Sequence, residues 1–133
     1  MRKLTDHIVE GDSANHQIDI TVVDEPGSGG ANHVYQIEHV APGRKSGDGP
    51  REFVHPLATL RFQDGPIKEA GINGITHESL LAVIIDRLSS FQKGPFASEY
   101  NERALHHCRL ALNEMQARTK ERMARGVEGT HQK

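Results

Sequence analysis

The sequence is poor in cysteine and has no long apolar run. Its single cysteine, Cys108, excludes a disulfide within the chain. No segment approaches the roughly 18 apolar residues of a membrane-spanning helix, and the N-terminus MRKLTDHIVEGD lacks the apolar core of a signal peptide. We therefore expect a cytoplasmic protein that does not bind membranes.

An excess of positive charge is also missing, since the formal net charge is -2. Contacts with the phosphate backbone dominate the affinity for nucleic acids, so a general DNA-binding protein is not expected. Hydrophobic residues make up 35% of the chain and the mean hydropathy is -0.59. Because a chain of 133 residues with so few apolar groups buries a modest core, we expect it to form homo-oligomers.

Two long helical patterns lie between Thr76 and Gly126. In the first, Thr76 is a candidate N-cap, Glu78 falls in the first turn, and Gly94 with Pro95 ends the run. Apolar residues cover most of the circumference, which predicts a helix covered on more than one side. These residues are Leu80, Leu81, Val83, Ile84, Ile85, Leu88 and Phe91.

The second pattern begins after Ser98, a candidate N-cap, and ends before Gly126, a candidate C-terminal cap. An apolar seam with alternating steps of three and four residues predicts one packed face. The seam consists of Leu105, Cys108, Leu112 and Met115. The short connection between the patterns predicts an antiparallel helical hairpin.

The N-terminal half shows the alternating pattern of strands in HQIDITVVD, HVYQIEHV and LATLRF. In the first of these, Ile18, Ile20 and Val22 alternate with polar residues, as in a strand with one buried face. Residues 41–52 are expected to form an exposed, turn-rich loop, and residues 1–16 an irregular segment or a short edge strand. The pattern predicts an α+β fold in which a small antiparallel sheet, residues 1–71, packs on a helical hairpin, residues 72–133.

Familiar catalytic and metal-binding motifs are missing. The segment DEPGSGGANH lacks the GKS or GKT ending of a phosphate loop, which leaves an anion-binding nest or a structural turn. His106, His107 and Cys108 are neighbours on a helix and point about 100° apart, so they cannot close one metal site. No nucleophile elbow or triad context occurs. We expect no metal and no cofactor, and the residues alone give no positive signal for catalysis.

Residues suited to nucleotide binding lie at the two ends of the hairpin. Phe91 and Asn101 flank its turn, and Arg118, Arg122 and Arg125 share one face at the far end of the second helix. Guanidinium groups bind phosphates, a phenyl ring stacks on a base, and an amide binds a base edge or a ribose. The alternative is a solvated basic helix end that complements the helix dipole.

The length of the second helix limits how one pocket can use both ends. Asn101 and Arg118 are 17 residues apart, which is about 26 Å along a helix. A nucleotide-sized ligand cannot bridge that distance within one chain. Two hairpins paired antiparallel would bring the turn end of one beside the arginine end of the other, with two equivalent pockets per dimer.

The hairpin resembles that of a known family of phage proteins. Within Ile72 to His131, the chain is similar to the phage Thoeris anti-defence sponges, whose hairpin is shared with the anti-CBASS sponges. The similar segments are NGITHESLLAVIIDRLSSFQKGPFASEYNERAL and RTKERMARGVEGTH. DEPGSGGANHVYQI resembles the N-terminal domain of the Thoeris branch. The resemblance implies non-enzymatic sequestration of cyclic ADP-ribose isomers in pockets between protomers. An enzyme that degrades such signals and a structural oligomerisation protein are the alternatives.

The resemblance also implies which residues bind. Phe91 would stack, Asn101 would act as a polar clamp, and Arg118 and Arg122 would bind phosphates, with Arg61 as the basic residue of the sheet.

Some family members are hexamers, trimers of dimers, that hold cyclic trinucleotides or dinucleotides in separate sites. The corresponding tail either lines such a site or is frayed; its residues are Arg125, Gly126, Gly129, Thr130 and His131.

Overall fold

The computed structural model describes residues 1–12, 14–41 and 54–133. Its strands are β1 (Arg2–Leu4), β2 (Ile18–Val22), β3 (Val34–Val40) and β4 (Val54–Arg61). Its helices are α1 (Ile67–Ala70), α2 (His77–Gln92) and α3 (Glu99–Ala124). The predicted α+β class is confirmed. The chain divides into two compact units, Met1–Gly65 and Pro66–Lys133, whereas the sequence pattern predicts a division after residue 71.

The first unit is built on a four-stranded sheet in the order β1-β2-β3-β4, in which all neighbours are antiparallel. The three predicted strands are present, and Arg2–Leu4 forms the short edge strand. The register between β3 and β4 shifts between Ile37, which pairs with Ala58, and Glu38, which pairs with Pro56. The loop predicted at 41–52 lies, apart from Ala41, outside the described residues.

Both faces of β2 carry buried residues. Val22 is 1% exposed, as the alternating pattern predicts, but Asp19 and Thr21 on the opposite face are only 9% and 6% exposed. The prediction of a strand with one buried and one solvated face is therefore wrong. The charge of Asp19 is compensated from the edge strand, since Lys3 Nζ lies 3.0 Å from Asp19 Oδ2.

Two carboxylates close the glycine-rich loop between β2 and β3. The Asp24 carboxylate accepts hydrogen bonds from the backbone N–H groups of His33 (2.8 Å) and Val34 (3.1 Å). Asp64 Oδ1 accepts one from the N–H of Ser28 (3.2 Å). Because protein carboxylates already occupy these donors, the structural turn describes this loop better than an anion-binding nest.

The second unit confirms the predicted helix ends. Thr76 Oγ1 accepts a hydrogen bond from Ser79 N (3.1 Å), and Ser79 Oγ accepts one from Thr76 N (3.0 Å), so the two residues form a capping box. Ser98 Oγ accepts a hydrogen bond from the N–H of Asn101 (3.0 Å). At the other end of α3, Gly126 has φ 73° and the chain turns in a Schellman motif.

Helix α2 is less covered than its sequence predicts. None of its residues is buried, and Val83, Ile84 and Phe91 are 57%, 38% and 42% exposed. The prediction of apolar cover on more than one side is therefore wrong for a single chain. Leu105 of α3, at 4% exposed, is the buried apolar residue of the hairpin seam among the described residues.

The hairpin turn depends on Gln92. Its amide donates hydrogen bonds to Ser98 O and Glu102 Oε2 (both 3.1 Å), and its oxygen accepts one from Ser98 N (3.0 Å).

We predict that Gln92→Ala lowers the free energy of unfolding by about 1–2 kcal/mol, because each lost bond contributes about 1 kcal/mol or less. Urea denaturation measures this. Gln116→Ala, at an exposed position of α3, is the control, and equal stability of the two variants would contradict the prediction.

Asp24 should make the stability depend on pH. Partial burial opposes its ionisation, but the hydrogen bonds from the His33 and Val34 N–H groups outweigh this and lower the pKa of Asp24 below its usual 3.8. Its stabilising contribution is therefore present above pH 3.8 and is lost as the pH falls through the lowered pKa.

We predict a shallower loss of stability in acid for Asp24→Asn than for the wild type, measured by denaturant unfolding between about pH 6 and pH 2. Asp6→Asn, at an exposed position, should follow the wild type. An Asp24→Asn curve as steep as that of the wild type would show that these bonds do not set the acid response.

Candidate functional site

The turn end of the hairpin presents an aromatic ring and an amide. Phe91 is the penultimate residue of α2 and is 42% exposed, with the Arg87 guanidinium carbon 5.7 Å from the ring centroid. Asn101 lies in the first turn of α3 and is half-buried. Its side-chain amide makes no hydrogen bond to the described residues, so it is available to a ligand.

The arginine end lies far along the same helix. Helix α3 runs unbroken over 26 residues, from Glu99 to Ala124, so Asn101 and Arg118 are separated by about 26 Å. The structure brings Phe91 and Asn101 together at one end of the hairpin and Arg118 and Arg122 at the other. It does not bring the two ends together within one chain.

The three arginines at this end have different surroundings. Arg122 pairs with Glu128, Nε to Oε2 at 3.0 Å, and Arg125 pairs with Glu121. These are the two acids of the segment from Gln116 onward. Arg118 is exposed and forms no ion pair with any described residue. The uncompensated guanidinium of the face is therefore that of Arg118.

Arg122 is the buried member, at 6% exposed. Besides Glu128, its guanidinium contacts backbone carbonyl oxygens of the C-terminal tail: Nη1 donates to Gln132 O (2.5 Å), and Nη2 donates to Val127 O (2.9 Å) and Thr130 O (3.1 Å). Four of the five N–H groups of an arginine are thus used. Counted over the described residues, Arg122 therefore keeps one N–H, on Nη1, for direct binding of a phosphate.

The tail that follows Gly126 is folded rather than frayed. Gly129 O accepts a hydrogen bond from Lys68 N in α1 (3.1 Å), and His131 Nδ1 lies 2.9 Å from Glu69 Oε1. Thr130 Oγ1 donates to Val127 O at 2.5 Å. Helix α1, which the sequence analysis does not predict, therefore fixes the tail from outside α3.

Three further residues bear on the candidate site. Arg61, the basic residue assigned to the sheet, is the last residue of β4 and is exposed. Arg87 and Glu128 are functional candidates that the sequence analysis misses. Arg87 could have been found from its i, i+4 spacing to Phe91, whereas no sequence signal marks Glu128, because its partner is defined by the fold of the tail.

No cluster of three or more His, Cys, Asp or Glu side chains able to hold a metal ion is present in residues 1–12, 14–41 and 54–133. Over the same residues, no helix has the length and apolarity needed to cross a bilayer.

Comparison with known proteins identifies the family. A family model described as Acb2/Tad1, hairpin domain, matches residues 58–120, which include α2 and most of α3. The protein named Thoeris anti-defense 1 from Bacillus phage SBSphiJ7 is 41% identical to this chain over 98 residues, covering 74% of this chain and 69% of that protein. The resemblance predicted from the hairpin sequence is confirmed. The chain therefore belongs to the phage anti-defence family that includes Thoeris anti-defense 1 and carries the Acb2/Tad1 hairpin domain.

Proposed function

We propose that this protein is a Thoeris anti-defence protein that binds and sequesters cyclic ADP-ribose signals without cleaving them. Its relative's name supports the anti-defence role. A cyclic ADP-ribose carries an adenine ring, two riboses and a pyrophosphate. An exposed Phe91 ring, a free Asn101 amide and an uncompensated Arg118 guanidinium offer a stacking surface, a hydrogen-bonding group and a phosphate ligand, respectively.

The observation that carries the proposal is the separation of these groups along one continuous helix. Since about 26 Å lies between Asn101 and Arg118, we propose that each pocket takes its turn end from one chain and its arginine end from another. Antiparallel pairing of two hairpins gives two such pockets in a homodimer. The exposed apolar side chains of α2, Val83 and Ile84, supply surface that such pairing would bury.

The arginine end would then hold the pyrophosphate. In this proposal Arg118 binds a phosphate directly, and Arg122, one turn further along the same face, adds its remaining N–H and a fixed positive charge. Arg61 of β4 is proposed as a further basic contact. The folded tail is proposed as a second site, for cyclic trinucleotides or dinucleotides, in a hexamer built as a trimer of dimers; its residues are Arg125, Gly126, Gly129, Thr130 and His131.

We predict that Phe91→Ala and Arg118→Gln each weaken cyclic ADP-ribose binding by about 10- to 100-fold, because one stacked base or one charge-assisted bond contributes about 1–3 kcal/mol. Isothermal titration calorimetry with several cyclic ADP-ribose isomers measures this. The matched controls are Phe96→Ala, another exposed phenyl ring of the turn region, and Lys120→Gln. Lys120 is exposed and lies two residues, or about 200°, around α3 from Arg118.

The controls should bind as tightly as the wild type. If the wild type binds no isomer, the proposal is wrong; if the control variants lose as much affinity as their partners, the assigned residues are wrong. Mass spectrometry of the ligand released by denaturation should return it unaltered. A cleaved product would instead show an enzyme that degrades the signal, and oligomers that bind no nucleotide would leave only a structural role.

A further inference from the structure

The ion pair between the buried Arg122 and the partly exposed Glu128 organises the C-terminal tail. After Gly126 the Schellman turn directs the chain back past the end of α3. Three tail carbonyl groups, those of Val127, Thr130 and Gln132, then converge on the Arg122 guanidinium. Residues 127–132 therefore fold around the Arg122 side chain, and Arg125 Nη1 donates to Lys133 O at the end of the tail (2.5 Å).

Burying that side chain requires a compensating charge. Arg122 has an 8% exposed side chain, and an unpaired charge in such surroundings would be strongly destabilising. Carbonyl groups contribute partial charges alone. Glu128 contributes the full negative charge, with its Oε2 3.0 Å from Arg122 Nε, while its side chain remains 36% exposed.

The same pair lies next to the proposed second site. Residues 129–131 follow Glu128 directly, between the carbonyl groups that Arg122 holds and the contacts that α1 makes. On the α1 side, Lys68 N donates to Gly129 O (3.1 Å) and Glu69 pairs with His131 (2.9 Å). A Cβ at Gly129 would lie 3.2 Å from Lys68 Cγ, so the backbone already packs closely against α1. The conformation of the segment is thus fixed from both sides.

We propose that Glu128 is a positioning residue: by holding the Arg122 guanidinium at the centre of the tail, it fixes residues 129–131 for the second, cyclic-oligonucleotide site. The inference rests on the proposed function. It also gives the two neighbouring arginines different roles: Arg118 offers its whole guanidinium to the first ligand, whereas Arg122 offers one N–H and its charge and uses its other four N–H groups to hold Glu128 and the tail. Glu128 itself need not touch either ligand.

The test compares Glu128→Ala with Glu128→Gln, whose amide oxygen can still accept the bond from Arg122 Nε. Glu25→Ala is the control, because it likewise removes an exposed acid, and Glu25 belongs to neither proposed site. Calorimetry is run with cyclic tri-AMP and, separately, with cyclic ADP-ribose. Hydrogen exchange of residues 127–133 is measured without ligand.

For Glu128→Ala we expect faster exchange of the tail, at least about tenfold weaker cyclic tri-AMP binding, and cyclic ADP-ribose binding within about threefold of the wild type. Glu128→Gln keeps an acceptor for Arg122 Nε but lacks the charge, so its cyclic tri-AMP affinity should fall between those of Glu128→Ala and the wild type. Glu25→Ala should match the wild type in all three measurements.

Wild-type exchange and cyclic tri-AMP affinity in Glu128→Ala would overturn the inference, as would a wild type that binds cyclic ADP-ribose but not cyclic tri-AMP. Equal loss of both ligands in Glu128→Ala and Glu128→Gln would also overturn it, because that pattern reports a general loss of structure. If the wild type binds neither nucleotide, the proposed function is wrong. The exchange measurement then still decides whether Glu128 holds the tail.

Discussion

The length and continuity of α3 are the constraint on which the functional account depends. A capped, unbroken helix of 26 residues keeps the groups at its two ends about 26 Å apart. The hydrogen bonds of Gln92 hold the turn end, and the turn at Gly126 fixes the arginine end. Neither end can move toward the other without breaking the helix, so in the proposed function one chain presents two half-sites.

Exposure of apolar residues leads to the same conclusion by a different route. Helix α2 is apolar over most of its circumference, yet none of its residues is buried in the single chain. Val83 and Ile84 remain 57% and 38% exposed. Contact with a second copy would remove this surface from water, which is favourable in proportion to the apolar area buried. Completing the pocket and covering the helix would then be one event.

The parts of the fold that depend on local sequence could be predicted. Thr76 and Ser98 cap the starts of α2 and α3, and Gly126 terminates α3. The hydrogen bonds involved join residues at most five positions apart, and such short-range patterns are visible in the sequence. The strands followed from alternation. Helix α1 was missed because Ile67–Ala70 is a single turn with no periodicity to detect.

The surroundings of charged side chains could not be predicted from the sequence pattern. Asp19 looks like a solvated strand residue, but Lys3 on the neighbouring strand allows it to be buried. Arg118 and Arg122 look equivalent as i, i+4 arginines, but the tail folds back onto Arg122 and leaves Arg118 exposed. The difference arises from carbonyl groups and from Glu128, which become neighbours of Arg122 only when the Gly126 turn has formed. The choice between an anion-binding nest and a structural turn likewise depends on Asp24, at the edge of the glycine-rich loop, and on Asp64, outside it.

The claim that one pocket is shared by two chains can be tested by mixing two defective proteins. In a mixed dimer of Phe91→Ala and Arg118→Gln chains, one pocket receives both intact residues and the other receives neither. Titration calorimetry after subunit exchange should therefore recover wild-type affinity at about one site per mixed dimer, although each variant alone binds weakly. No recovery after verified exchange, or tight binding by a protein whose solution mass is that of one chain, would contradict the account.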